Sequence, residues 1–128
     1  MTRIRSASKA ADDAGVAFLI NARCDLFFQG DAIPHDEALL AKVVERAHAY
    51  AEAGGNGFFV PGLTNLSLIS QLAKKSPIPI NILADSSTNV RELADNGVAR
   101  VSYGAAPYVE AMAALEQAAR GISGFVAR

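Results

Sequence analysis

The chain has 128 residues, about half of them apolar and a fifth charged, enough for one domain, residues 1–128, with a buried core. Twelve Lys and Arg against thirteen Asp and Glu leave a net charge of −1, so charge gives no case for nucleic acid or a membrane surface as partner. No apolar run approaches the roughly 20 residues of a membrane span. No apolar signal region follows Met1, and the single cysteine, Cys24, excludes an internal disulfide and fits a reducing cytoplasm. One cysteine and two histidines also fall short of a usual structural zinc site.

Residues 2–14 read as a helix, with Ile4, Ala7, Ala11 and Ala14 on one face and Gly15 as its stop. Strand one is expected from Val16 to Ala22. A polar loop with Gly30, Asp31 and Pro34 follows. Asp36 suits the N-cap of a helix running to about Ala53, within which Leu39, Val43, Ala47 and Tyr50 recur at helical spacing. Gly54, Gly55 and Gly57 release the chain into strand two, Phe58 to Val60. Pro61-Gly62 marks a turn, and Asn65 caps a short helix to about Lys75. Strand three is Ile78 to Leu83. Ser87 or Thr88 is expected to cap a helix that stops at Asn96-Gly97. Strand four is Ala99 to Ser102, and a last helix starts near Pro107 and ends by Gly121.

Strands separated by helices are most simply parallel, with right-handed crossovers. The expected fold is therefore α/β, with four parallel strands alternating with helices. Two architectures fit: half of a (βα)8 barrel, or an open doubly wound sheet. Side-chain alternation favours the barrel. On strand one, Leu19, Asn21 and Arg23 oppose Phe18, Ile20 and Ala22. On strand three, Pro79, Asn81 and Leu83 oppose Ile78, Ile80 and Ile82. One face is smooth and apolar, and the other carries polar groups toward the strand ends.

The segment VAFLINARCD carries the strongest chemical signal. An apolar strand ends in Asn21, Arg23 and Asp25, and a buried arginine is costly unless it meets an anion. The C-terminal end of a parallel strand is also where α/β folds place their chemistry. Arg23 is thus the first candidate for anion binding.

NARCD at a strand end, AYAEAGGNGFFVPGL, IPINILAD and GVARVSYGAAPY together resemble the isocitrate lyase and phosphoenolpyruvate mutase superfamily, nearest its phosphonomutase-like and methylisocitrate-lyase-like members. The likeness runs from about Arg3 to Arg120 and implies strands five to eight of the family's TIM-type barrel. It implies an enzyme that uses Mg2+ to hold a 2-oxo acid or enolate-like group while a C–C or P–C bond beside it is broken or rearranged. By that resemblance Arg23 is a catalytic and substrate-binding residue that neutralises carboxylate or phosphoryl oxygens, a task suited to a guanidinium fork. Asn81 matches a strand-seven asparagine near the substrate, with Asp25 and Asn21 in support. The family's metal carboxylates and its Lys-Cys-Gly loop belong to the first half of the barrel, and neither segment is recognised here. Cys24 stands where relatives often have threonine, so it does not replace the lyase nucleophile. Pro61 lies where the phosphonomutase proper has a histidine, which argues against that specific activity.

Each of these residues also has a plainer reading. Arg23 can pair with Asp25, and Asp25 can orient Arg23 rather than bind metal. Asn81 can satisfy backbone at a strand end. Asp31 and Asp85 suit turns, Cys24 suits packing, and His35 and His48 suit the surface. Gly104 before a helix start could hold a phosphate by backbone amides, without a glycine-rich fingerprint to support it. The functional expectation is the C-terminal part of such an enzyme, inactive alone, acting on a small carboxylate or phosphonate. The alternative is a non-catalytic half-barrel that self-associates and at most binds small anions. A half-barrel leaves two strand edges open, so a homo-oligomer or a complementary N-terminal half is the expected partner.

Overall fold

A computed structural model describes residues 1–29 and 34–126, with side chains to residue 122. Gly30 and Asp31 of the expected loop lie outside the described residues. The elements follow the chain as α1 (Thr2–Asp13), β1 (Asn21–Arg23), α2 (Glu37–Glu52), β2 (Gly57–Val60), α3 (Leu66–Lys75), β3 (Ile80–Leu83), α4 (Val90–Asp95), β4 (Arg100–Ser102) and α5 (Ala106–Val126). The four strands form one parallel sheet in the order β1-β2-β3-β4. A doubly wound sheet reverses its strand order at a switch point. This one advances steadily in one direction, as a sector of a (βα)8 barrel does.

Local chemistry explains most of the element ends. The Asp36 carboxylate accepts the Leu39 N–H at 2.9 Å, and the Asn65 side chain accepts the Leu68 N–H at 3.1 Å. Both therefore satisfy an otherwise orphaned N–H of the first turn. The cap of α4 differs from expectation. Asn89, not Ser87 or Thr88, accepts the N–H groups of Arg91 and Glu92. The two hydroxyls are instead bound to the Asp85 carboxylate at 2.7 and 2.9 Å. Proline has no N–H for the ladder, and β3 correspondingly begins at Ile80, just after Pro79, rather than at Ile78.

Strand one is shorter at its start than expected and ends one residue later, because β1 is a sheet edge with a single neighbour. Its pairing partner begins only at Gly57. Upstream, Ile20 is held by Asn56: its N–H donates to the Asn56 side chain at 2.9 Å, and its carbonyl accepts the Asn56 N–H at 2.9 Å. Among the described residues no strand pairs with Val16, Phe18 or Leu19, and all three are exposed. The last helix runs past its expected end. Gly121 keeps a helical backbone within α5, at the modest cost of glycine in a helix.

The core lies on one side of the sheet. Ala22, Phe58, Val60, Ile80 and Ile82 point toward Leu39, Leu40, Val43 and Ala47 of α2, Leu68, Ile69 and Leu72 of α3, and Leu93 of α4. Each such large side chain contributes roughly 1.5–3 kcal/mol by leaving water. The opposite face carries Arg23, Phe59, Asn81 and Arg100 in one register layer. α1 buries no residue, and Tyr108, Val109, Met112, Leu115 and Ile122 of α5 are exposed. Among the described residues, no helix is long and apolar enough to cross a membrane.

Candidate functional site at the strand ends

Arg23 is the last residue of β1, and its register partner on β2 is Phe59. Its Nε donates to Asp25 at 2.5 Å. Its guanidinium carbon lies 5.1 Å from the ring centre of Phe28 and 5.8 Å from that of Phe59, over both rings. Both distances are within cation–π range. The two Nη groups have no hydrogen-bond partner among the described residues. The side chain is half exposed, so the Arg23–Asp25 pair is a surface ion pair of small net worth. Its consequence is orientation. With Nε tied to Asp25 and two rings beside the plane, the Nη edge is left to meet an anion in the two-pronged geometry that suits carboxylate or phosphonate oxygens.

The turn that carries Phe28 is seated by glycine. Phe28 N–H donates to the Asp25 carbonyl at 2.8 Å, closing a turn directly after β1. Gly62, at φ +83°, approaches this turn so closely that a Cβ there would lie 2.3 Å from the Phe27 carbonyl oxygen. The Pro61-Gly62 turn after β2 thereby fixes the loop after β1.

Asn81 shares the register layer of Arg23 but is one strand further on, with Phe59 between them. At the usual strand spacing this separates their backbones by about 10 Å. Asn81 is buried and exchanges two hydrogen bonds with Ser102 of β4: its amide donates at 3.0 Å and its carbonyl accepts at 3.1 Å. That pairing ties β3 to β4 and occupies the amide. Asn21 sits lower on β1, against Gly57, where a Cβ would lie 3.0 Å from its Oδ1. The structure thus brings Arg23 and Asp25 together and leaves Asn21 and Asn81 apart from them.

A cleft of about 370 Å³ opens at the strand ends, lined by Phe28, Gly62, Leu83, Asp85, Thr88 and Tyr103, among others. The Asp85 pKa is lowered by the Ser87 hydroxyl first, then by the Thr88 hydroxyl and the Ser87 N–H. Cys24 is buried, and burial pushes its thiol upward against the opposing hydrogen bond from Leu26, leaving it a poor nucleophile. His35 is exposed and stands edge-on to Phe27 at 5.0 Å, and His48 is exposed on α2. Gly104 has the left-handed φ of a turn, +54°.

A divalent cation such as Mg2+ asks for several oxygen ligands around one point. The carboxylates nearest the strand ends do not provide them. Asp25 is engaged by Arg23, and Asp85 by its own turn. Among the described residues, no three His, Cys, Asp or Glu converge as a metal site. These residues alone therefore do not fit the ion.

Phe28, Phe59 and Ser102 are the site residues that sequence reasoning missed. Phe59 could have been found by extending the strand alternation to β2, which places it on the Arg23 face. Ser102 follows in the same way from β4. Phe28 lies in a loop without periodicity and carries no such signal.

Among solved structures, the chain is similar to a candidate phosphonomutase from Burkholderia cenocepacia, at 47% identity and a TM-score of 0.89, covering 93% of this chain and 48% of that one. A candidate lyase/mutase from the same organism matches at 29% identity and a TM-score of 0.81, over 94% of this chain and 43% of that one. The fold is also that of 2,3-dimethylmalate lyase, a PEP mutase/isocitrate lyase superfamily member, at 22% identity and a TM-score of 0.78, over 95% of this chain and 43% of that one. An uncharacterized protein of Mycobacterium tuberculosis is 33% identical over 104 residues, which are 81% of this chain and 38% of that protein. The chain thus spans less than half the length of each of these proteins. The profile of phosphoenolpyruvate phosphomutase matches residues 1–123, and the chain belongs to that family.

Proposed function

We propose that this chain forms strands five to eight of a PEP mutase/isocitrate lyase-like enzyme acting on C–C or P–C bonds of substrates related to 2-oxo acids. Its own contribution is anion capture. Arg23 offers its Nη edge to a carboxylate or phosphonate, and Asp25 keeps that edge aimed. Asn81 borders the substrate from the same layer, two strands along. The Mg2+ ligands and the catalytic loop come from outside these 128 residues, so the chain alone is inactive. The setting is the reducing cytoplasm, in keeping with one buried cysteine. The observation that carries this reading is the arginine at a strand end, oriented by one carboxylate with two Nη groups unengaged among the described residues.

The test is calorimetric titration with oxalate, with and without Mg2+. Oxalate binding that is lost in Arg23→Ala and strongly weakened in Arg23→Lys supports anion capture, since a point charge cannot replace a fork. No binding by the wild-type chain in either condition overturns it. Binding that requires Mg2+ would overturn the placement of the metal ligands outside this chain.

The edges of β1 and β4, unpaired among the described residues, favour a second reading, a non-catalytic half-barrel that covers those edges by two-fold self-association. A dimeric mass by sedimentation, with no gain of activity on adding a complementary N-terminal half, would favour it. A monomeric mass would count against it.

A further inference from the structure

The proposed role of Arg23 rests on a guanidinium that stays in place while half exposed to water. An arginine on an open strand end has many rotamers, and one ion pair removes few of them. Two features of this chain restrict Arg23 further. Phe59 is its register partner on β2, so that ring is supplied by the sheet. Phe28 comes from the loop, and its place is set by the Asp25–Phe28 turn pressed against Gly62. Phe28 is itself more than half exposed, although it is a large apolar side chain. Its described aromatic contact is with Arg23, and it also lines the strand-end cleft. Core packing does not explain a phenylalanine in that position, and a cation–π contact does.

We propose that Phe28 is a positioning residue: its ring holds the Arg23 guanidinium, with Asp25 on Nε and Phe59 beside it, so that the Nη edge is preset toward an anion at the strand ends. The proposal deepens the anion-capture reading and depends on it only for the consequence in binding. The geometric part stands alone.

Two measurements on the full chain separate these parts. The first is NMR of the Arg23 side chain, assigned by its loss in Arg23→Lys. Ring currents from Phe28 and Phe59 should move the Arg23 Cδ protons upfield and slow exchange of the Nε–H. Phe28→Leu should relax both signatures, and Phe28→Tyr should retain them. Since Phe28 is exposed, neither substitution should alter the fold, which circular dichroism checks. The second is oxalate titration. Phe28→Leu should weaken binding by about two- to fivefold, the range of one exposed cation–π contact, and Phe28→Tyr should restore it.

Arg23 resonances that do not move in Phe28→Leu overturn the proposal. So does oxalate affinity equal to wild type in a variant whose ring-current shift is gone. Absence of oxalate binding by the wild type overturns the anion-capture reading instead, and the NMR arm still decides whether Phe28 holds Arg23.

Discussion

Replacing Gly62 with alanine tests how the site is assembled. Gly62 has φ +83°, a left-handed backbone that an L side chain adopts at a cost of about 1–2 kcal/mol. The same substitution at Gly15, φ +65°, places the new Cβ in open space, with nothing within 4 Å. Gly15→Ala therefore measures the conformational cost alone. At Gly62 the Cβ would also lie 2.3 Å from the Phe27 carbonyl oxygen and 2.7 Å from its carbon. Those atoms belong to the backbone of a residue whose ring is buried in the core, so they cannot swing aside as a flexible side chain would. Relieving that overlap adds about 1–3 kcal/mol, as overpacking does. The assay is urea unfolding of the wild type and both variants. With a slope of about 2 kcal/mol per molar urea, the midpoint should fall by about 0.5–1 M in Gly15→Ala and by about 1–2.5 M in Gly62→Ala, at unchanged slope. Gly62→Ala should also move the turn that carries Phe28 and so reduce the ring-current shift of Arg23. Equal midpoints for the two variants would refute the claim that Gly62 seats the loop after β1.

Three further outcomes are expected. Asn81→Ala leaves the half-buried Ser102 hydroxyl without its Asn81 partner and should cost about 0.5–1.5 kcal/mol beyond the lost packing, whereas Ser102→Ala should cost less when added to Asn81→Ala than alone; additive losses in this cycle would show that the pair is not coupled. The folded-state pKa of Asp85 is depressed, so its contribution to stability is full above the ordinary carboxylate range and is lost as pH falls through the depressed value; its NMR titration should shift upward in Ser87→Ala, and an unchanged midpoint would remove the hydroxyl as the cause. Cys24 should react with a thiol reagent at neutral pH far more slowly than an exposed cysteine, at a rate that rises with urea; a fast reaction in the native protein would contradict its burial and raised thiol pKa.

Sequence pattern alone placed the helices, the approximate positions of the strands and two of the caps, because those features depend on neighbours within a turn or two. Asp36 and Asn65 bind N–H groups three residues away, and such pairings are legible wherever the residues stand. The same locality explains the error at α4. Ser87, Thr88 and Asn89 are all competent caps, and the choice went to Asn89 because Asp85 engages both hydroxyls. Arg23 could be picked out as a polar residue ending an apolar run, as its chemistry conflicts with that setting. What surrounds Arg23 was decided by tertiary structure. Phe59 reaches it through the register of two strands, Phe28 through a turn seated on Gly62, and Asn81 is held off by the strand between them. The strand order is of the same kind, although side-chain alternation already favoured a barrel sector over a doubly wound sheet. Pairings between residues far apart in the chain are set by how whole helices pack on the sheet, and no local run of residues encodes that sum.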